Sequence, residues 1–238
     1  LRFNPGEEAN DLEFAKDLAS LADIFVMDAF AAAHRAHAST VGISQYKPSL
    51  AGLLLEKELQ VMGDIMMNPI QPLGLVLGGA KVSDKIPVIY NFLDKVDRVF
   101  VGGGMAVAFS KALGYPVGSS TVDYNQLDTL KGLIGELQNN NIAIYLPRDV
   151  VVAKEFSQYT NETDTVSLAN VPDGWYIMDI GHETIDNYTE GISGCKTIIW
   201  NGPMGVFEFD IFANGTKGVA SAIAGVEGVT LVGGGSTY

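Results

Sequence analysis

Residues 73–85 read LGLVLGGAKVSDK, an apolar run that passes through two glycines into a lysine-bearing segment. The uninterrupted apolar run at residues 73–77 is typical of a strand buried between two layers of helices. Similar runs recur at residues 24–27, 98–101, 142–146, 175–178, 197–200 and 229–232. Amphipathic stretches of helical length occupy residues 7–21, 50–66, 83–93, 105–113, 125–138 and 212–224. This alternation predicts an α/β fold with a doubly wound, Rossmann-like parallel sheet.

The composition narrows the classes of partner. The 238 residues are 47% hydrophobic, which is enough to fill a sizeable core, and the net charge is −13. An acidic surface repels nucleic acid and anionic lipid, so we expect neither as a partner. No run of 18 apolar residues occurs, which predicts no membrane span. The single Cys195 cannot form an intrachain disulfide, and this favours a reducing, cytoplasmic location.

Prolines mark a change of organisation between residues 45 and 72. Pro48, Pro69 and Pro72 bracket a long apolar segment of helical pattern. Residues 1–49 hold too few predicted elements for an independent domain, whereas residues 68–238 hold enough for one. The sequence therefore predicts the tail of one domain at residues 1–49, a linking helix at residues 50–67 and most of a second domain at residues 68–238.

Three glycine-rich turns, at residues 77–81, 101–105 and 232–236, each follow a predicted strand. Because the carboxyl ends of parallel strands meet at one sheet edge, we expect these turns to converge on one crevice. Glycine allows close approach of a ligand and frees N–H groups to point at phosphate oxygens. The alternative is that these glycines only make tight turns. Neither the P-loop motif nor the dinucleotide fingerprint is present.

Lys81 and Lys85 stand four residues apart, so a helix from Ala80 onward would place both on one face near its N-terminus. Two ammonium groups beside free helix N–H groups favour an anion such as a triphosphate. A solvated basic face is the alternative interpretation.

Residues 33–37 read AHRAH, which gathers His34, Arg35 and His37 after a predicted strand. A zinc site would need a third ligand and would place an arginine beside the metal, so we favour an anion-binding loop. We expect it to take a small phosphorylated acid, with Arg2 as a possible partner. A helix-capping polar loop is the alternative.

A third cluster, WNGPMGVFE at residues 200–208, joins a predicted strand to a Gly-Pro-x-Gly turn. Val206 and Phe207 can line an adenine or a sugar, and Glu208 can accept hydrogen bonds from ribose hydroxyls. An ordinary loop with its aromatic ring in the core is the alternative.

Taken in order, these segments resemble the phosphoglycerate kinase family. The resemblance rests on LRFN at residues 1–4, DAF at 28–30, HRAH at 34–37, EKEL at 56–59, GGAKVSDK at 78–85, GGGM at 102–105, residues 200–208 and the closing triple glycine. It covers essentially the whole chain. It implies two α/β domains that close over two substrates, 3-phosphoglycerate or 1,3-bisphosphoglycerate and ATP or ADP, with Mg²⁺. It also implies a monomer.

The resemblance implies roles for particular residues. Arg2, His34, Arg35 and His37 would bind the phosphorylated glycerate in the domain that ends at residue 49. Lys81 would be catalytic, Lys85 would hold nucleotide phosphates, and Glu208 would bind the ribose. The nucleotide site as a whole would comprise Gly78, Gly79, Lys81, Lys85, Gly103, Asn201, Pro203, Val206, Glu208, Gly233, Gly234, Gly235, Ser236 and Thr237.

The chain departs from the family pattern in three places. The early part of the first domain and the last family segment are absent from this sequence, so we expect a fragment. Ser236 stands where the family usually has an Asp that helps to hold the metal, so no metal ligand is assigned. The alternative function is therefore a catalytically incompetent nucleotide-binding fragment. A dinucleotide-dependent oxidoreductase is disfavoured by the failed fingerprint and by the lack of a ribose carboxylate.

Overall fold

A computed structural model describes residues 1–234 of the chain. The polypeptide divides into unit 1, Leu1–Asn68, and unit 2, which begins at Pro69. The long helix that ends at Met67 lies in unit 1. Its role as a link between domains stays a prediction, as does the three-part division of the chain.

Unit 1 combines short helices with a parallel pair of strands. Its elements are α1 (Pro5–Glu8), α2 (Leu12–Ala19), β1 (Phe25–Met27), α3 (Phe30–Ala33), β2 (Ser49–Ala51) and α4 (Leu53–Met67). The helix predicted at residues 7–21 is broken, because Asn10 adopts a φ of 52° and Asp11 then caps α2 by accepting from Phe14 N at 2.8 Å. The helix predicted from residue 50 begins three residues later, because Ser49–Ala51 pairs with β1.

Unit 2 is built on a five-stranded parallel sheet, whose strands stand in the order β10 (Val229–Gly233), β9 (Thr197–Asn201), β3 (Leu73–Leu77), β4 (Arg98–Val101) and β5 (Ala143–Tyr145). In chain order, the first elements of unit 2 are β3 (Leu73–Leu77), α5 (Val82–Phe92), β4 (Arg98–Val101), α6 (Gly103–Ala112), α7 (Leu127–Asn139), β5 (Ala143–Tyr145), β6 (Asp149–Ala153), β7 (Thr163–Ser167) and β8 (Tyr176–Ile180). They are followed by α8 (His182–Ser193), β9 (Thr197–Asn201), α9 (Asn214–Ala224) and β10 (Val229–Gly233). The predicted α/β class with a parallel sheet is confirmed.

A second sheet in unit 2 was not predicted. β6 pairs antiparallel with both β7 and β8, giving the order β7-β6-β8. The prediction that the run at residues 175–178 joins the parallel sheet is therefore wrong. β7 is polar except for Val166 and is mostly exposed, so it carries no apolar run that would reveal it.

The core of unit 2 lies around the middle of the parallel sheet. β3 is buried at all five residues, and Phe100 stacks on Tyr145 with ring centroids 4.3 Å apart. The buried Tyr188 places its hydroxyl 2.7 Å from Val101 O and 2.8 Å from Tyr145 O. The phenol thus ties α8 to the carboxyl ends of β4 and β5.

Unit 1 leaves several large apolar side chains exposed. They lie on β1, on β2 and along α4, and they include Val26, Leu50, Leu53, Leu59 and Met67. Within residues 1–234, no helix has both the length and the apolar character needed to span a membrane.

Candidate functional site

A cavity of about 960 Å³ opens in unit 2 where β3, β4 and β9 end. Of the residues predicted for the nucleotide site, those that line it are Gly79, Lys81, Lys85, Gly103, Asn201, Pro203, Val206, Glu208 and Gly234. Gly78, Gly233 and Phe207 are not among the lining residues. Gly235, Ser236 and Thr237 lie outside the described residues. The glycine-rich turns after β3 and β4, the two lysines and the loop of residues 200–208 thus meet at one crevice.

The turn after β3 is locked to the loop after β9. Gly78 N donates to Asn201 O at 3.0 Å, and Gly79 N donates to Pro203 O at 2.9 Å. A Cβ on Gly78 would overlap the Pro203 carbonyl oxygen, and Gly79 has a φ of 78°. Both positions therefore require glycine, one for space and one for backbone conformation.

The turn after β4 meets the same loop. Gly103 N donates to Met204 O at 2.6 Å, and a Cβ on Gly103 would lie 2.9 Å from both Gly79 N and Pro203 O. The expectation that the N–H groups of Gly78, Gly79 and Gly103 are free for phosphate oxygens is wrong, because carbonyls of the loop after β9 already accept from them. Close packing of three turns explains these glycines, and their part in nucleotide binding stays a prediction.

The two lysines lie where α5 begins. Lys81 is the N-cap residue of α5 and is exposed, while Lys85 is half-buried one turn further on. Burial lowers the pKa of Lys85; the Asp84 carboxylate opposes this shift and the Lys81 ammonium adds to it. The first N–H groups of α5 have no partner within the helix. Two cations and these N–H groups together favour an anion at this end of the cavity.

The loop after β9 forms the opposite wall. Trp200 Nε1 donates to Gly202 O at 2.8 Å, Met204 N to Thr216 Oγ1 at 3.0 Å, and Val206 N to Met178 O at 2.8 Å. These bonds hold the loop to itself, to α9 and to β8. Pro203, Val206 and the exposed Glu208 are thereby presented to the cavity.

Sequence reasoning missed an aromatic corner of the cavity. Phe156, in the connection between β6 and β7, lies edge-on to Tyr176 with ring centroids 6.2 Å apart, and its ring centroid is 5.7 Å from that of Phe209. Phe156 and Tyr176 both line the cavity. Nothing in the sequence connects them to the glycine turns, because they belong to the antiparallel sheet that was not predicted.

Sequence reasoning also missed Asp179, a carboxyl that lines the cavity and is only 2% exposed. It accepts from Gly215 N at 2.7 Å and from Ile180 N at 2.9 Å. Burial raises the pKa of Asp179 to about 7, against the lowering effect of these two backbone N–H groups. An aspartate inside the apolar run WYIMDI was the available signal, since Asp is rarely buried without a partner.

The predicted anion-binding loop lies in unit 1, and α1 contacts two of its four residues. Arg2 Nε lies 3.5 Å from a carboxylate oxygen of Glu8, and His37 Nδ1 lies 3.7 Å from one of Glu7. The buried Glu7 also accepts from Ser39 N at 3.1 Å. His34 and Arg35 are exposed at and just after the end of α3. Binding of a phosphorylated acid by these residues stays a prediction.

Comparisons with known proteins agree over the whole chain. The model of the family described as Phosphoglycerate kinase matches residues 1–238. The phosphoglycerate kinase of Moorella thermoacetica is 51% identical over 237 residues, covering 100% of this chain and 60% of the relative. That of Synechococcus elongatus is 50% identical over 241 residues, with the same two shares.

Solved structures give the same result. The phosphoglycerate kinase of Coxiella burnetii superposes with a TM-score of 0.87 at 43% identity, covering 100% of this chain and 61% of that one. The enzyme of Pyrococcus horikoshii gives a TM-score of 0.83 at 33% identity, covering 99% and 61%. The chain therefore spans about 60% of the length of the curated relatives it matches.

Proposed function

The chain belongs to the phosphoglycerate kinase family, and on that premise we propose that it serves reversible phosphoryl transfer between 1,3-bisphosphoglycerate and ADP. The products are 3-phosphoglycerate and ATP, and the reaction belongs to glycolysis. The observation that carries the proposal is the cavity in unit 2, which has Lys81 and Lys85 at one end and Glu208 on the wall.

The nucleotide is proposed to lie in this cavity with its phosphates toward α5. Lys85 and the free N–H groups of the first turn of α5 would bind the phosphates, while Glu208 would accept hydrogen bonds from the ribose. Phe156 and Tyr176 offer apolar faces for the base at the aromatic corner.

Lys81 is proposed to stabilise the phosphoryl group in transfer. Such transfer needs little covalent chemistry from the protein, and positioning with neutralisation of charge supplies most of the catalysis. An exposed ammonium at the N-cap of α5 can follow the phosphoryl group between donor and acceptor. Arg2, His34, Arg35 and His37 would bind the glycerate.

Mg²⁺ is proposed as the companion of the nucleotide phosphates. Over residues 1–234, no three His, Cys, Asp or Glu side chains come together as a metal site. These residues do not supply a protein cage, and Mg²⁺ in kinases is held largely by phosphates and water.

We also propose that the protein is a cytoplasmic monomer without nucleic-acid or membrane partners. The buried Cys195, which forms no disulfide, supports a reducing location. The net charge of −13 argues against binding of nucleic acid or anionic lipid, and the monomer rests on the resemblance to the family.

One experiment separates transfer from binding. The chain is titrated with ADP by calorimetry and then assayed for ATP formation from 1,3-bisphosphoglycerate. Glu208→Ala should weaken ADP binding about tenfold, or about 1.4 kcal/mol, whereas Glu227→Ala, an exposed glutamate outside the cavity, should leave it unchanged. ADP binding without ATP formation would favour the alternative of a nucleotide-binding chain that does not catalyse transfer. Absence of ADP binding would contradict both.

Lys81→Ala tests the catalytic role in any polypeptide that carries residues 1–238 and is active. Turnover should fall about 100-fold, as for the loss of an oxyanion donor. ADP affinity should fall much less, because Lys85 remains. Turnover within about threefold of the parent at saturating substrate would contradict the role of Lys81.

A further inference from the structure

Two glycines, one in the loop after β9 and one in α9, lie against the side chain of Asp179. A Cβ on Gly205, in the loop after β9, or on Gly215, in the first turn of α9, would overlap the Asp179 carboxylate. Gly205 and Gly215 both have negative φ angles, so space rather than backbone conformation requires glycine there. The carboxyl thus occupies the gap between β8, the loop and α9.

We propose that Asp179 is a positioning residue for the nucleotide site, holding the loop of residues 202–208 at a fixed distance from α9. The inference rests on the proposed function, because it concerns the binding of ADP in the same cavity. Asp179 reaches α9 through the hydrogen bond from Gly215 N, and it meets the loop by direct contact with Gly205.

The position of this loop decides the shape of the cavity. Its carbonyls at Pro203 and Met204 accept from Gly79 N and Gly103 N, so a shift of the loop displaces the turns after β3 and β4. The loop also carries Val206 and Glu208 to the cavity. Movement at Gly205 therefore reaches the turns that lead into α5 and α6 as well as the ribose-binding carboxylate.

A second hydrogen bond joins the loop to α9 at the same place. Met204 N donates to Thr216 Oγ1, one residue beyond the Gly215 that donates to Asp179. Burial of this carboxyl is unfavourable, as its pKa of about 7 indicates. An apolar side chain would leave Gly215 N without its acceptor.

The first test measures ADP affinity in the folded chain by calorimetry, with folding checked by near-ultraviolet circular dichroism. Asp179→Ala should weaken ADP binding about tenfold or more, and Asp173→Ala, at an exposed aspartate in the turn before β8, should leave it unchanged. Asp179→Asn keeps the volume but offers one acceptor oxygen in place of two, and we expect a loss of at least about threefold. If the alanine variant does not fold, the asparagine variant decides.

The second test uses no ligand. Gly215→Ala should lower the melting temperature by about 4 °C or more in the parent chain. In the Asp179→Ala chain the same change should cost less, because only the clash with Ile180 Cγ1, 2.5 Å from the added Cβ, remains. Equal losses in both backgrounds would show that Asp179 does not fill the gap.

The outcomes separate the inference from the proposed function. A parent chain that does not bind ADP refutes the proposed function. The melting temperatures of the Gly215→Ala chains still test whether Asp179 fills the gap at Gly215. A parent that binds ADP while folded Asp179→Ala and Asp179→Asn chains bind it within twofold refutes the positioning role. A structural role alone would lower the melting temperature without changing the affinity of the folded protein.

Discussion

Asp179 makes the stability of the chain depend on pH in an unusual direction. Its pKa is raised from 3.8 to about 7 by burial, so the folded state holds the proton more tightly than the unfolded state. The stability that this proton provides is fully present below about pH 4 and is lost as the pH rises through 7. Most carboxyls that accept hydrogen bonds shift stability in the opposite sense.

We therefore predict that the free energy of unfolding of the parent falls, relative to Asp179→Asn, between pH 5 and pH 8. The size should be a few kcal/mol at most, since one pKa unit corresponds to about 1.4 kcal/mol. Urea unfolding of both chains at several pH values measures the difference, and other titrating groups cancel in it. Parallel curves for the two chains would show that Asp179 keeps an ordinary pKa.

The glycines provide a second prediction for single residues. Gly78→Ala should destabilise the chain by about 1–3 kcal/mol, because its Cβ meets the fixed Pro203 carbonyl oxygen and the backbone must shift. Gly132→Ala is the matched control: it lies exposed inside α7 with nothing within 4 Å of an added Cβ. It should instead stabilise by about 0.5–1 kcal/mol. Equal effects in urea unfolding would contradict the packing of the turns.

Site residues that directly follow a predicted strand were predictable. Site residues that distant parts of the chain bring to the cavity were not. Lys81 and Glu208 stand next to glycine-rich segments, so their place at the sheet edge followed from the parallel topology. Phe156 comes to the cavity through an antiparallel pairing that has no sequence motif. The use of the N–H groups was also mispredicted, because their acceptors come from a loop more than a hundred residues away.

Among the elements, α8 depends on a carboxylate from another strand. Its N-cap residue is Gly181, which has no side chain to accept from the first turn. Asp149 on β6 supplies the acceptors, with Thr184 N at 2.8 Å and Glu183 N at 3.2 Å. Thr184 Oγ1 also lies 2.6 Å from the Asp149 carboxylate. The cap thereby joins α8 to the antiparallel sheet.

Asp149→Ala should destabilise the chain by about 1–3 kcal/mol, because buried N–H groups lose their acceptor. Asp128→Ala is the control, since this exposed aspartate in the first turn of α7 has its carboxylate 3.5 Å from the exposed Lys131 ammonium. It should cost less than about 1 kcal/mol. Urea unfolding with Trp fluorescence measures both, and similar losses would contradict the capping role of Asp149.

The prediction of strands succeeded where the apolar run was uninterrupted. β3 and β4 were predicted at their observed bounds because each is apolar on both faces. β2 was taken for the start of a helix because three residues cannot show a period. α8 escaped prediction since its sequence is largely polar, and its position is decided by the remote Asp149 and by Tyr188 in the core.

At the scale of the whole molecule, the two units differ in how completely they cover their apolar residues. Unit 2 buries β3, β4 and β9, the central strands of its parallel sheet, around Phe100, Tyr188 and Trp200. Unit 1 leaves Leu50 and Leu53 exposed, the latter at 83%. Exposed apolar surface on short parallel strands favours association with other chains.

We predict that residues 69–238 alone fold cooperatively and bind ADP within about threefold of the whole chain, a difference below 1 kcal/mol. The cavity-lining residues all belong to this part of the sequence. Residues 1–68 alone should give no cooperative transition and should associate at micromolar concentration. Circular dichroism melting, calorimetry and light scattering check these outcomes. Loss of ADP binding in residues 69–238 would show that the site needs more of the polypeptide.

The hydrogen bonds among the three turns also bear on the rate of ligand capture. Since Gly78, Gly79 and Gly103 donate to carbonyls of the protein itself, the cavity walls are preorganised. Such a site loses little conformational entropy when it binds. The observed rate constant of association should then rise linearly with ADP concentration in a stopped-flow measurement of tryptophan fluorescence. A rate that saturates would reveal a slow rearrangement of the turns after the first encounter.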